Sequence, residues 1–371
     1  MQGNGVKWVR LGDYIEQCDE RNTVGSNYPV IGINRDKTFM PTVANLDGVD
    51  IAKYNIVSKG MFVFSGMQTG RDICIRIGLY DKDQPALISP AYTTFFINKE
   101  NDVLPEYFFM YFNREESDRY GWVISDSSVR ANLDWPRFLD IEIPLPSVAE
   151  QQKVVNAWRA FREIKEQNEA KAAPLMQLCQ SYIQELKHKY PMQEIGPYIH
   201  RIDERNTDNK IKEVRSVSVT KNFNVTNAKV DKNNLSNYKI VRENQISFVQ
   251  TTGNEKCLCA AINHLGFPIV VTSVNEVFET DEKYLLADYL HLIFRRTETD
   301  RYARFNSWGS ARETFTWEDM TRFAIPLPSI EVQQAIVNIY KCANEAKRIA
   351  EEADRLSREV CPALLQHIIH S

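Results

Sequence analysis

"IPLPSVAEQQ" occupies Ile143–Gln152, and "IPLPSIEVQQ" occupies Ile325–Gln334. Seven of the ten letters agree in order, at a distance of 182 residues. The agreement extends well beyond this phrase. Working backwards at the same offset, Trp135 matches Trp317, Arg130 matches Arg312, Ser128 matches Ser310, and Arg119-Tyr120 matches Arg301-Tyr302. Nearer the start the offset becomes 184. There "LGDYIEQCDERN" (Leu11–Asn22) faces "IGPYIHRIDERN" (Ile195–Asn206), Phe39 faces Phe223, and Phe64 faces Phe248. A correspondence this long, drifting by two positions, marks two copies of one structural unit.

Each copy reads in two parts. The first, 5–147 or 192–329, mixes short β-rich runs with helical ones. "YPVIGI" (Tyr28–Ile33), "MFVFS" (Met61–Ser65), "ICIRIGLY" (Ile73–Tyr80) and "TTFFI" (Thr93–Ile97) are bounded by Gly, Pro, Asn and Asp, as strands are. "LPEYFFMYFNREE" (Leu104–Glu116) reads as one helix with Pro105 in its first turn. The second part, 148–190 or 330–371, has no Gly and one Pro. Ser147 and Ser329 precede it as N-caps, and Glu150 completes a capping-box spacing that Val332 does not. Val154, Trp158 and Phe161, then Leu175, Cys179, Tyr182 and Leu186, recur at helical spacing. Ile336, Tyr340 and Ala343, then Leu356, Val360 and Leu364, do the same. Such stripes need an apolar partner, and each long helix is the natural partner of the other. Lys165, Asn168 and Lys347 interrupt the stripes as register-setting polar residues. Pro174 and Pro362 are expected to kink or interrupt their helices. The expected fold class is α+β: two pseudo-repeated α+β domains separated by two long helices packed as an antiparallel coiled coil. Forty helical residues make a rod of roughly 60 Å.

Composition sets limits on function. The chain has 371 residues, 45 basic and 49 acidic, for a net charge of −4. The first domain has 15 basic against 20 acidic residues, and the second is balanced. This is not the basic footprint of an autonomous nucleic-acid binder. Seven scattered cysteines suit reduced thiols and a cytoplasmic location. The opening residues show no signal-peptide core, and no apolar run is long enough to span a membrane.

These residues carry a family resemblance. Two "IPLP-S-x-x-x-QQ" phrases, each closing an α+β domain and opening a long helix, resemble the DNA-specificity subunits of type I restriction-modification systems. "VSKGMFVFSGMQTGRD" (Val57–Asp72) is similar to that family's strand and polar Gly-containing loop. "VRENQISFVQTTGNEK" (Val241–Lys256) is a looser copy, with Asn244 in place of Gly60. "SSVRANLDWPRFLDIEIPLP" (Ser127–Pro146) and the final "CPALLQHIIHS" are also similar. The resemblance covers nearly the whole chain, and its motifs are specific together rather than singly. It implies a non-catalytic subunit whose two target-recognition domains read the halves of an interrupted site on double-stranded DNA. Its partners would be two methyltransferase subunits and restriction translocase-nuclease subunits. It implies no cofactor in this chain; S-adenosylmethionine, ATP and Mg2+ belong to the partners. Two alternatives are the specificity subunit of a fused methyltransferase-nuclease and a coiled-coil adaptor.

Base reading needs donors and acceptors on loops that enter a groove: Arg for guanine, Asn or Gln for adenine. In the first domain the candidate loop is Gln68-Thr69-Gly70-Arg71, and its counterpart is Thr251-Thr252-Gly253-Asn254 with Lys256. A second candidate segment carries Ser128, Arg130 and Asn132, matched by Ser310, Arg312 and Thr314. Trp308 reads as a packing residue. Arg21 and Arg205 read as structural, since both copies keep the whole "DERN" although their targets should differ. The chain lacks the Asn/Asp-Pro-Pro-aromatic loop of an amino-methyltransferase and any Gly-x-x-x-x-Gly-Lys-Ser/Thr phosphate cradle. Glu163-Ile164-Lys165 reads as helix-surface charge, and Cys257-x-Cys259 as part of a buried strand. His188, His200, His264, His291, His367 and His370 form no metal-ligand spacing.

Overall fold

The computed structural model describes residues 6–67, 72–126, 131–226, 228–251, 257–309 and 313–370. The chain divides into two units, Met1–Gln167 with Ile349–Ser371, and Asn168–Arg348. Both boundaries fall inside the long helices, so each unit contains one stretch of each helix.

In unit 1 the strands are β1 (Lys7–Arg10), β2 (Ile15–Gln17), β3 (Val30–Ile33), β4 (Phe39–Pro41), β5 (Asn55–Val57), β6 (Phe62–Ser65), β7 (Arg76–Leu79), β8 (Ala86–Ile88), β9 (Thr93–Ile97) and β10 (Glu142–Leu145). Its short helices are α1 (Pro105–Phe112), α2 (Glu115–Ile124) and α3 (Trp135–Leu139), before the long α4 (Val148–Lys189). One sheet runs β2-β9-β6-β7, a second β4-β3-β8-β5, and β1 pairs antiparallel with β10. The run expected as one helix over 104–116 is two. α1 stops because the Lys37 ammonium takes the Phe112 carbonyl, and α2 begins again after Arg114.

Unit 2 contains the latter part of α4, then β11 (Met192–Glu194), β12 (Ile199–Ile202), β13 (Arg215–Val217), β14 (Phe223–Val225), β15 (Lys239–Val241), β16 (Ile246–Val249), β17 (Ala260–Ile262), β18 (Ile269–Val271), β19 (Asn275–Thr280) and β20 (Ala324–Pro326). Its helices α5 (Ala287–Phe294), α6 (Thr297–Phe305) and α7 (Trp317–Thr321) precede the long α8 (Ile330–His370). The sheet β12-β19-β16-β17 repeats the order of β2-β9-β6-β7, and β11 pairs with β20 as β1 does with β10. The second sheet of unit 1 reappears as two pairs, β13–β14 and β15–β18, joined by a parallel bridge from Val214 to Val270. That bridge is the counterpart of the parallel β3–β8 contact at Val30–Leu87.

The repeated phrase now has a physical reason. Gln151 is fully buried, accepts from Leu104 N at 2.9 Å, and donates to Asp102 O at 2.8 Å and Pro146 O at 2.9 Å. Gln333 makes the same three bonds, from Leu286 N and to Tyr284 O and Pro328 O. Tyr107 and Tyr289 hydroxyls donate to Pro144 O and Pro326 O. Each "IPLP…QQ" is therefore a clamp joining the α+β part to its long helix, where a buried carbonyl or N–H must find a partner.

Within unit 1, Lys165 of α4 pairs with Asp354 of α8 at 2.8 Å. Val154, Val155 and Trp158 share a core with Cys361, Leu365 and Ile368. Within unit 2, the Cys179 thiol approaches the Ile336 carbonyl, and Ile183 and Leu186 share a core with Ile336 and Val337. Partners therefore run in opposite directions, and the two helices pack antiparallel. Neither Pro174 nor Pro362 interrupts its helix; both lie inside continuous helical stretches. The seam lies slightly off the expected stripe. Tyr182 is exposed while Ile183 is buried, and in α8 the buried residues include Ile336, Val337, Ala343, Ala346, Ala350, Ala353, Cys361 and Leu365. Among the described residues no helix is long and apolar enough to cross a membrane.

Candidate nucleic-acid interface

Of the candidate reading residues, Gln68, Thr69, Arg71, Ser128, Arg130, Thr252, Asn254, Lys256, Ser310 and Arg312 lie outside the described residues. Asn132, Thr251 and Thr314 lie within them, together with the segments that enter and leave each candidate loop. Those flanks bring the two candidate segments of each unit together.

In unit 1 the chain leaves β6 at Ser65 and passes Gly66, whose carbonyl accepts from Leu133 N at 2.9 Å. A Cβ on Gly66 would fall 1.6 Å from the Leu133 carbonyl oxygen, so only glycine permits this approach. Leu133 directly follows the second segment. That segment is closed by Asp126 N donating to Asn132 O and by Asn132 N donating to the Asp126 carboxylate, each at 2.9 Å. Ala131 in between adopts φ 45°.

Unit 2 repeats this plan. Phe315 N donates to Gln250 O at 2.8 Å, and Thr251 bridges Thr314. Trp308 and Thr314 exchange two backbone bonds, of 3.1 and 2.9 Å, that close the second segment. The Gln250 side chain donates to Glu276 at 2.7 Å. Glu276 is itself buried and held by Arg201 at 2.6 Å and Lys239 at 3.2 Å. Two backbone bonds recur at offsets of 182 to 184: Leu133 N to Gly66 O matches Phe315 N to Gln250 O, and Asp126 N to Asn132 O matches Trp308 N to Thr314 O, while the return bond from Asn132 N goes to the Asp126 side chain. After each neck a capped turn, α3 or α7, returns the chain to the repeated phrase. Asp134 accepts from Arg137 N, and Thr316 forms a capping box with Asp319.

Two expectations need correction. Trp308 is 77% exposed: its backbone closes the loop and its indole finds no core to enter. Cys257 and Cys259 are half-buried and precede β17, because ladder pairing with β16 begins only at Ala260. Their sulfurs lie 3.9 Å apart, and burial pushes the Cys259 thiol up to about 12. Arg21 and Arg205 donate to the carbonyls of Lys53 and Asn237, and each pairs its strand segment with a neighbouring one. Lys165 of the Glu-Ile-Lys triplet is taken up by Asp354. Sequence reasoning missed the neck residues Gly66, Leu133, Gln250 and Phe315. Their offsets were available, but they act through backbone atoms.

No family model and no curated protein matches this sequence. Solved structures do. The S subunit of the type I restriction-modification system of M. genitalium aligns over 100% of this chain and 98% of its own, at 12% identity and a TM-score of 0.64. This chain has the fold of that type I S subunit. The HsdS subunit of Thermoanaerobacter tengcongensis aligns over 99% and 97% at 15% identity, with a TM-score of 0.40. A chain from a structure of type I restriction-modification complex assembly and conformational transition aligns at 13% identity and 0.42. At such identities the S-subunit likeness is one of architecture. The assignment of function rests on the residues of the two necks.

Proposed function

We propose that this chain is the non-catalytic DNA-recognition subunit of a type I restriction-modification system. It reads a bipartite duplex site and recruits methyltransferase and translocase-nuclease subunits. One observation carries this reading: in both units the same backbone scaffold gathers two polar segments whose sequences differ between the copies. A scaffold kept twice around unlike tips is what two readers of unlike half-sites require, since base contacts specify while the frame only positions. The S-subunit fold supports the same conclusion. S-adenosylmethionine, ATP and Mg2+ would be held by the partners, and the long helices would dock the methyltransferases. The test is methylome sequencing of a host expressing the chain with its methyltransferase. One bipartite motif is expected, and exchanging residues 192–329 should alter one half and leave the other unchanged. Modification at a single contiguous motif, or change in both halves, would refute the assignment.

A further inference from the structure

The necks hold the entrances of the first candidate segments. Their exits are held by a different device, also built twice. Lys37 sits at the tip of the β3–β4 hairpin with φ 59°, and Lys221 at the tip of β13–β14 with φ 61°. Lysine rarely adopts this left-handed conformation, and here it turns the side chain inward. Both are buried, at 4% and 5% exposure. The Lys37 ammonium donates to Phe112 O, at the end of α1, and to Asp118 at 2.7 Å. The Lys221 ammonium donates to Phe294 O, at the end of α5, and to Asp300 at 2.7 Å. The same carboxylate oxygens take one more bond. Asp118 Oδ1 accepts from Ile75 N at 2.8 Å, and Asp300 Oδ1 accepts from Leu258 N at 3.0 Å. Ile75 and Leu258 lie just after the first candidate segments. Asp118 and Asp300 lie on α2 and α6, the helices that lead into the second ones.

We propose that Lys37–Asp118 and Lys221–Asp300 are positioning pairs for half-site reading. Each fixes the exit of one recognition segment against the helix that delivers the other. The inference rests on the DNA-recognition reading above and names residues that act in it without touching DNA. Stability alone does not account for the pairs. Burial holds the Asp118 carboxyl above the usual carboxylate range despite Lys37 beside it. A buried ion pair of this kind is commonly no better for stability than apolar side chains of the same size. What the apolar alternative cannot supply is an acceptor for the amide of residue 75 or 258.

The experiment uses the full chain, alone and with its methyltransferase, in four forms. These are wild type, Lys37→Met, Lys221→Met, and the apolar pair Lys37→Met/Asp118→Leu. On the chain alone, hydrogen exchange at residues 73–75 should quicken about tenfold or more in Lys37→Met and stay unchanged at 257–258, with the reverse in Lys221→Met. With the methyltransferase, Lys37→Met should cut discrimination between cognate and single-mismatch sites by about tenfold in one half of the motif only. Lys221→Met should do the same in the other half. The apolar pair should recover thermal stability while discrimination stays low. Unchanged exchange, equal loss in both halves, or discrimination returning with stability would overturn the proposal. A wild-type chain that yields no bipartite motif would sink the functional reading and not the anchoring, which exchange reads independently.

Discussion

At the scale of the residue, duplication separates side chains that hold the frame from those that vary. Gln151 has no exposed surface and its side chain makes three bonds to backbone; the Gln152 side chain, beside it, donates to the Asn156 side chain one turn on. Gln151→Leu removes the partner of the Leu104 N–H and of the Asp102 and Pro146 carbonyls, the last of them buried, and should cost about 3 kcal/mol. Gln333→Leu should cost a similar amount, and Gln152→Ala less than about 0.5 kcal/mol. Urea unfolding of the three variants checks the ordering, and equal costs at 151 and 152 would refute the clamp. The histidines give a prediction in pH. His291 is 7% exposed and donates from Nε2 to Lys221 O at 3.0 Å. Burial lowers it from its ordinary 6.5 to about 4. Between these values the unfolded chain binds the proton and the folded one does not, so stability falls as pH drops from about 6.5 toward 4. The size is on the order of 3 kcal/mol. The counterpart of His291 in unit 1, 182 positions earlier, is Phe109. His291→Phe should therefore flatten the acid limb of the melting temperature against pH. His264 acts in the opposite sense. Its hydrogen bond to Asp288 raises it, so its contribution is present below its ordinary pKa and fades as pH rises above it.

At the scale of the element, the long helices show how far pattern reading reaches. Spacing of three and four located both, and Lys165 was recognised as a polar residue in the seam. Of the buried alanines Ala343, Ala346, Ala350 and Ala353, only Ala343 falls on the expected stripe, because alanine contributes little hydrophobic signal. Their spacing of three, four and three is that of a coiled-coil seam, in which small residues allow close approach of backbones. In unit 1, Ala350 is 3% exposed. Ala350→Leu should overpack the seam and cost about 1–3 kcal/mol, whereas Arg355→Leu on the solvent face should cost less. Denaturant unfolding of the full chain distinguishes the two, and a neutral Ala350→Leu would mean a looser seam. The strand "TTFFI" was legible to the residue, since β9 is Thr93–Ile97. The break after Phe112 was not legible, because a lysine 75 positions earlier imposes it. Of the candidate site, only the location of the segments could be read from the sequence. Comparing the copies reveals what they share, and the candidate reading segments are where they differ. The necks were invisible for another reason: backbone bonds such as Phe315 N to Gln250 O leave no mark on side-chain type.

At the scale of the whole molecule, charge sets how DNA can be held. The chain carries 45 basic against 49 acidic residues, and many of its arginines are already committed within it. Arg159 pairs with Glu106, Arg162 with Asp81, Arg201 with Glu276, Arg242 with Glu204, and Arg355 with Glu352 and Glu359. Phosphate contacts supply most non-specific affinity, and each neutralised phosphate adds about 0.9 to the slope of log affinity against log salt. A net charge of −4 gives little overall attraction for a phosphate backbone. Binding of the lone chain to duplex DNA should be weak at physiological salt, with a slope of magnitude below about 4. If this chain is the recognition subunit proposed above, assembly with a methyltransferase that brings the phosphate contacts should steepen that slope and tighten binding. Fluorescence anisotropy titrations over a range of salt, with and without the methyltransferase, measure both slopes on one bipartite duplex. Equal, steep slopes would place the basic surface on this chain and reverse that division of labour.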